Sequence, residues 1–448
     1  MLDPKQAEAR CAAAIDLALK FGADAADTVA ICRSSEDVQV RLGKLEDVSR
    51  SESEALGLRV FVGQRSASIS ATDMGDDALA ELAERAVAMA RAAPEDKYAG
   101  LAPEDLLAHR PFPGLDLEEA AEPSPQELRR RAEETEDAAR AVEGVTNSEG
   151  AGASFGRSSV ALATSHGFSG SYAATGHALA ASVVAGEGGR MQRDYEHRSA
   201  RHAEDLLPPA EIGRRAGERA VARLDPGSME SRQMPVVFDP RVGNSLVGHL
   251  IGAMSGPSIA RRASFLLDRL EDALFPAGIA IVEQPHRPRG LGSRPFDGEG
   301  LPTAPRALVE GGKVTGWLTN AASARQLGIG QTGHASRGAS GAPGVSASNV
   351  VLEAGTLSPA ELIADIAEGV FVTELIGQGV NAVTGDYSRG ASGFRIVKGE
   401  IAGPVAEFTI AGNLVDMFAN LSAANDLEIY RALDVPTLRI EGMTIAGE

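Results

Sequence analysis

Chemistry in this chain would have to come from a serine between glycines, from histidines, or from carboxylates held in glycine-rich loops. Gly152-Ala153-Ser154-Phe155-Gly156 has the Gly-x-Ser-x-Gly spacing of a nucleophile elbow, which exposes the serine hydroxyl on a sharp turn between a strand and a helix. Here a polar, strand-like segment follows, so Ser154 is read as part of an ordinary glycine loop. Gly328-Ile329-Gly330-Gln331-Thr332-Gly333 and Gly377-Gln378-Gly379-Val380-Asn381-Ala382 fit the dinucleotide fingerprint, which needs a strand, the loop, and then a helix whose N-terminus meets the pyrophosphate. The first match follows a helix and enters more loop, and the second leads into strand-like residues and Gly385. Neither has the required context, and no Gly-Lys-Ser/Thr is present for a phosphate loop.

Metal ligands would come from the 8 histidines. His197 and His202 stand near Asp194, Glu196, Glu204 and Asp205. A spacing of five does not put both on one helical face, and the group reads as solvated surface. His249 lies in the apolar stretch Leu246-Val247-Gly248-His249-Leu250-Ile251-Gly252-Ala253-Met254. A zinc site on a helix needs a second ligand on the same face and a base beside the first. This stretch has no other His, Glu or Asp, which favours a hydrogen-bonded core histidine. Two carboxylate loops remain, Phe296-Asp297-Gly298-Glu299-Gly300 and Thr384-Gly385-Asp386-Tyr387-Ser388-Arg389-Gly390. Aspartate and glycine are also ordinary turn residues, and turn duty is the expectation for both.

The elements that must hold these residues are legible in outline. Asp3, Pro4 and Gln6 form a capping box, and Ala7, Cys11, Ala14, Ile15 and Ala18 then recur at helical spacing until Gly22. Four strand-like stretches, among them 38–42 and 56–62, precede a helix carrying Leu79, Leu82, Ala86 and Ala90. Residues 1–95 thus predict an α-β-β-β-β-α domain. Pro94, Pro103, Pro111, Pro113 and Pro123 predict a linker over 96–123. Ser124-Pro125-Gln126-Glu127 opens a helix, hairpin stretches lie at 159–164, 171–184 and 191–199, and a helix at about 209–224 closes a middle segment, 124–228. In 229–448 a strand at 234–238 runs into Asp239-Pro240, which caps a helix through Met254. Hairpins follow around Gly311-Gly312 and Lys398-Gly399, and Ser358-Pro359-Ala360-Glu361 opens a short helix. The fold class is α+β: helices with antiparallel sheet first, then a β-rich, barrel-like C-terminal domain. No fixed-period repeat is visible.

Composition narrows the function. The 448 residues carry 62 acidic against 43 basic side chains, a net charge of −19, which provides no field to gather phosphates and argues against nucleic acid or an anionic membrane as partner. The 50 glycines imply many tight turns. Two cysteines, Cys11 and Cys32, are too few for a disulfide framework or a cysteine-based metal cluster and fit a reducing compartment. The start of the chain lacks the basic and apolar regions of a signal peptide, and no apolar run approaches the roughly 18 residues of a membrane span. A cytoplasmic protein is expected.

Several long motifs in one order resemble the TldD/PmbA family, on its PmbA (TldE) branch: Ser264-Phe265-Leu266, Pro295-Phe296-Asp297-Gly298-Glu299-Gly300, Trp317-Leu318 with Ser323-Ala324-Arg325-Gln326-Leu327-Gly328, Val372-Thr373-Glu374-Leu375-Ile376-Gly377-Gln378-Gly379, the Thr384 to Gly390 loop quoted above, and Ile410-Ala411-Gly412-Asn413-Leu414. The resemblance covers essentially the whole chain. It implies a two-subunit cytoplasmic metallopeptidase that cleaves peptides such as a microcin leader, and unfolded segments. TldD there carries zinc on a His-Glu-x-x-x-His helix plus a cysteine near its C-terminus, and PmbA is the partner. In this chain the corresponding helix is the one around His249, followed by Leu250 and, five residues on, by Met254, and residues 427–448 contain no cysteine. One histidine cannot hold a catalytic zinc or activate its water.

The resemblance therefore implies a chain with no catalytic or metal-ligating residue and no cofactor of its own, with zinc in a TldD-like subunit. It would form part of the peptide cleft around its partner's site. Glu374, Gly377, Gly379, Asp386, Tyr387, Arg389 and His249 are the candidate cleft or subunit-contact residues, because glycines let another backbone approach and the side chains ring the gap with polar groups. The plainer alternative is a turn network in which Asp386 and Arg389 pair with each other. The family's name as a modulator of DNA gyrase implies a genetic link to topoisomerase poisons, and the acidic charge argues against direct DNA contact. Two other readings compete: an independent hydrolase using His249, His334 or Glu374, and a non-enzymatic, gyrase-modulator-type homodimer that binds peptides.

Overall fold

The computed structural model describes residues 2–447. The N-terminal half is built from α1 (Pro4–Lys20), β1 (Ala25–Arg41), β2 (Lys44–Val62), β3 (Arg65–Ala71), α2 (Asp76–Ala92), α3 (Pro125–Arg140), β4 (Val145–Thr164), β5 (Ser169–Ala185), β6 (Gln192–Ala200) and α4 (Pro209–Ala222). α1 starts as its capping box requires, with Asp3 and Gln6 bonded reciprocally and Pro4 in the first turn, and it buries Ala7, Cys11, Ala14, Ile15 and Ala18. Three strands, not the expected four, follow it. The stretches at 38–42 and 56–62 are the ends of two long strands, because β1 and β2 pair from Ala25↔Phe61 to Arg41↔Lys44 as one extended hairpin.

The order of the sheet is β3-β2-β1-β4-β5-β6. β1 pairs antiparallel with β4 from Asp27↔Thr164 to Val40↔Ala151, so the proline-rich stretch 96–123 separates the two segments in sequence but not in space. Each segment runs α-β-β-β-α, and the two meet at their first strands in mirror order. This internal duplication of architecture has no counterpart in a sequence period. The four helices lie against the sheet, α1 and α2 over a core with Leu56, Leu58 and Val60, and α3 and α4 over Val38, Phe155, Leu179 and Val183. Gly213 lets α4 close on α3, since a Cβ there would lie 2.1 Å from the Thr135 carbonyl.

The C-terminal half begins with β7 (Arg232–Phe238) and α5 (Pro240–Ala253). β7 lies between the strands Glu368–Ile376 and Leu438–Ala446 of a sheet that continues through Asp386–Val397 to Glu400–Asn413. That last strand pairs back onto Leu438–Ala446 through Thr409↔Ala446 to Ala411↔Thr444, closing a barrel. Closure leaves no free edge on the five strands of the ring. Val236, Phe238, Val370, Val372, Tyr387, Ile410 and Ile440 fill it together with Leu246, Leu250 and Met254 of α5 and its C-cap. The hairpin at Lys398-Gly399 turns with φ of 52° and 78°, the left-handed pair that a two-residue hairpin demands. A smaller five-stranded sheet, with Ile281–Glu283 at its centre, packs beside the barrel.

A buried ionic clamp joins the halves. Asp27 of β1 accepts from Arg59 Nε at 2.7 Å and from Arg337 Nη2 at 2.9 Å, and Arg59 lies 3.4 Å from Glu299. Glu299 also accepts the Ala321 amide at 2.6 Å, while Asp297 accepts the amides of Glu299, Leu301 and Ala335. Turn duty thus describes only part of what these carboxylates do: Glu299 bridges two domains, and burial raises its carboxyl above the usual range even beside Arg59. Among the described residues no helix is long and apolar enough to cross a membrane.

Candidate functional site

Asp239 caps α5 by accepting the Arg241 amide at 2.7 Å, with Pro240 in the first turn. The helix lies against β7 and the Glu368–Ile376 strand, and spacing puts Val242, Ser245 and His249 on one of its faces. The expected hydrogen bond of His249 is not made: its Nε2 is buried and has no partner. Its ring instead packs edge-on to Tyr387, with centroids 6.3 Å apart. Desolvation lowers the imidazole's proton affinity, and the Arg389 charge lowers it further. Tyr387 is 1% exposed and its hydroxyl also lacks a partner. Burial pushes that phenol up to about 12.

The neighbouring strands bring further polar groups to the same end of the barrel. Val372 pairs with Gly393 and Glu374 with Ser392, so Thr373 is the extra residue of a β-bulge. Bulges of this kind re-aim a side chain, and the Thr373 hydroxyl is buried without a hydrogen bond. Arg389 lies two residues beyond Tyr387 on the same strand face. Its Nε donates to the Ile376 carbonyl at 3.3 Å, and it does not pair with Asp386. Asp386 instead accepts from Thr384 Oγ1 at 2.7 Å and Asn413 Nδ2 at 3.2 Å, which hold its carboxyl below its ordinary range. The pairing expected of that turn network is thereby corrected, while turn duty describes the carboxylate: Asp386 ties its own loop together, and the Arg389 guanidinium stays free of it.

Gly377 and Gly379 behave differently from each other. Gly377 has φ of 84° and open space around it. At Gly379 a Cβ would fall 1.6 Å from the Ser388 carbonyl oxygen, and the Ser388 amide donates to the Gly379 carbonyl at 2.7 Å. The backbone that approaches this glycine closely is the chain's own. Ile376 and Val383, 58% and 54% exposed, leave an apolar tip on this loop.

Glu374 is bonded to Arg223, the C-cap of α4, which sequence reasoning did not connect to it. Arg223 also lies 3.5 Å from Asp194, and Arg241 Nη1 donates to Asp194 at 2.9 Å. Asp194 and Glu196 are therefore buried, at 4% and 2% exposure, and not a solvated surface as expected. The alternation of Asp194, Glu196 and Arg198 along β6 is the signal that could have shown it, since period two places all three on one face. His202 is buried too, with Nε2 3.0 Å from the Asp116 carbonyl, whereas His197 is exposed. Ser154 lies within β4, paired with Asp37 and Ala178, and is neither on an elbow nor in a loop.

His334 is closed off from any substrate. It is 3% exposed, and its nitrogens lie 2.6 Å from Glu283 Oε2 and 2.9 Å from Thr332 Oγ1. Burial pushes the Glu283 carboxyl up, but His334 and the Ser348 amide outweigh that and hold it below the usual range. Among the described residues no group of three or more His, Cys, Asp or Glu side chains stands where it could hold a metal ion. The neighbours of His249 on α5 do not fit a zinc site, since Leu250 and Met254 are apolar and fully buried. Cys11 and Cys32 are free, buried thiols in the N-terminal half, Cys11 on α1 and Cys32 on β1.

Residues 231–447 match the PmbA/TldA metallopeptidase C-terminal domain, 118–224 the central domain and 33–90 domain 1 of that family. The chain is 38% identical over 440 residues to Metalloprotease PmbA of Escherichia coli O157:H7, covering 97% of this chain and 96% of the relative. It is 36% identical to the Metalloprotease PmbA homolog of Haemophilus influenzae, over 97% of this chain and 94% of that one. A crystal structure from Bacteroides thetaiotaomicron, described as a candidate modulator of DNA gyrase, superposes with a TM-score of 0.91 at 26% identity over the whole of both chains. TldE from Thermococcus kodakarensis shares the fold at a TM-score of 0.86 and 21% identity, over 97% of this chain and 99% of that one.

Proposed function

This chain belongs to the PmbA/TldA metallopeptidase family, and from that premise we propose that it is the zinc-free subunit of a two-subunit peptidase, shaping the peptide cleft around a TldD-like partner's metal. One observation carries the reading. On α5 and its C-cap the positions that would supply the base and second ligand are Leu250 and Met254, which pack into the barrel core: leucine has no donor atom, and a thioether is neither a base nor one of the Cys, His, Asp or Glu ligands that zinc takes. The bond-breaking step then belongs to the partner.

This chain's own contribution would be to hold an extended peptide, with polar contacts from Arg389 and Glu374 and apolar contacts from Ile376 and Val383 at the loop tip. Residues 373–379 and 384–390 are the stretches we assign to the cleft or the subunit contact. The remaining candidates, Gly377, Gly379 and Asp386, would act by setting the shape of that loop, and Tyr387 and His249 by forming its polar floor. Substrates would be peptides and unfolded segments, and two free thiols fit a cytoplasmic setting.

Peptide hydrolysis by the purified chain, by a TldD-like subunit and by their mixture tests the proposal. The expected result is cleavage by the mixture and none by this chain alone. Turnover by this chain alone, unaffected by a partner, would establish an independent hydrolase instead. No gain on mixing would favour a homodimeric peptide-binding module.

A further inference from the structure

Between α5, β6 and the strands Glu368–Ile376 and Asp386–Val397 lies a cavity of ≈ 380 Å³, lined by four arginines, Arg193, Arg223, Arg241 and Arg389, against two acids, Asp194 and Glu374. That is a local surplus of positive charge in a chain whose net charge is −19. Both acids are already held by arginine, Asp194 by Arg241 and Arg223, and Glu374 by Arg223. Arg193 reaches Glu149 at 3.5 Å, and Arg241 also approaches Asp239 at 3.4 Å.

Arg389 is different. Among the described residues it has no carboxylate partner, and its one hydrogen bond runs from Nε to a carbonyl. Thr373 lines the same cavity, 9% exposed, with an unbonded hydroxyl delivered by the bulge. The hydroxyl of Tyr387, two residues along the strand from Arg389, and Nε2 of His249, whose ring packs on Tyr387, are also buried without partners. Buried polar atoms nearly always find partners, and here three unbonded ones gather near one uncommitted guanidinium.

We propose that this cavity binds a peptide carboxylate, with the Arg389 guanidinium as its ionic partner and the Thr373 hydroxyl donating a hydrogen bond. Guanidinium matches the planar carboxylate with two parallel N–H donors. One uncommitted cation suits one negative charge, whereas the greater charge of a phosphate would also face Asp194 and Glu374. The inference rests on the peptide-cleft reading and adds the group by which the peptide is recognised. The carboxylate belongs either to the peptide's C-terminus or to an acidic side chain.

Titration calorimetry on the full purified chain tests it with three acetylated, alanine-rich heptapeptides: one with a free C-terminal carboxylate, its C-terminal amide, and the amide carrying one internal glutamate. At least one carboxylate form should bind about tenfold or more tighter than the neutral amide, and the preferred form identifies the source. Arg389→Gln should abolish that preference without lowering the melting temperature. Thr373→Val should weaken that preference. Equal binding of all three peptides would overturn the carboxylate site while leaving the peptide cleft standing. Binding of none would overturn the site as well, and the cleft would then be judged by the hydrolysis assay alone. A preference that persists in Arg389→Gln would also contradict the assignment.

Discussion

His249 is the residue at which sequence and structure diverge most usefully. Its apolar helix correctly marked a histidine turned inward, but the hydrogen bond that usually accompanies such burial is missing. Burial makes its folded form harder to protonate than a free imidazole, and the same holds for His177 and His286. The unfolded chain therefore takes up protons at a higher pH than the folded chain. The stability these neutral rings carry is complete above roughly pH 6.5 and is lost as pH falls below it toward their lowered folded values. Asp297 and Glu299, whose carboxyls burial raises, act in the opposite sense. The informative quantity is thus a difference between variants. His249→Asn keeps a polar group of similar reach and should cost at most about 1 to 2 kcal/mol at neutral pH, and its melting temperature should fall less steeply than the wild type's on acidification. Identical pH profiles would show that this ring does not titrate on unfolding. Other residues were illegible for a plain reason. Asp194 and Glu196 look like surface acids until Arg223, Arg241 and Arg219, from helices that follow them in the chain, are seen to meet them.

At the scale of elements, what was encoded locally could be read and what was encoded by distant pairing could not. The capping residues Asp3, Asp239 and Ser358 each start the helix assigned to them, because a cap needs only a few neighbouring residues. The lengths of β1 and β4 were hidden because their alternation is diluted by small and polar residues, and their pairing joins positions more than a hundred residues apart. The 377–385 loop shows the same limit. Its glycines advertised a close approach, but the Ser388 carbonyl, not a foreign chain, occupies the space beside Gly379. What the loop does present outward is Ile376 and Val383. Replacing both with aspartate should leave the melting temperature nearly unchanged, since exposed positions typically shift stability by within about 0.5 kcal/mol. Association with a TldD-like subunit should weaken about tenfold or more, as expected when apolar contact is replaced by unpaired charge. Sedimentation or calorimetry of the mixed subunits measures this, and unchanged association would remove the loop from the interface.

For the molecule as a whole, a duplicated helix and sheet layer is clamped through Asp27, Arg59, Glu299 and Arg337 to loops of the C-terminal half, whose closed barrel carries the candidate cleft at one end. The α+β class and the barrel-like C-terminal half were readable from glycine spacing, hairpin signals and family motifs. The fusion of the first two segments into one sheet was not, because a proline-rich connection looks the same whether its flanks separate or pair. The central claim is that a chain of this family can serve a metallopeptidase without holding its metal. Elemental analysis of the subunits, purified separately and as a complex and then dialysed against zinc, addresses it most directly. The account predicts one zinc per complex that follows the TldD-like subunit on separation, and no stoichiometric zinc on this chain. One tightly held zinc per copy of this chain would contradict it.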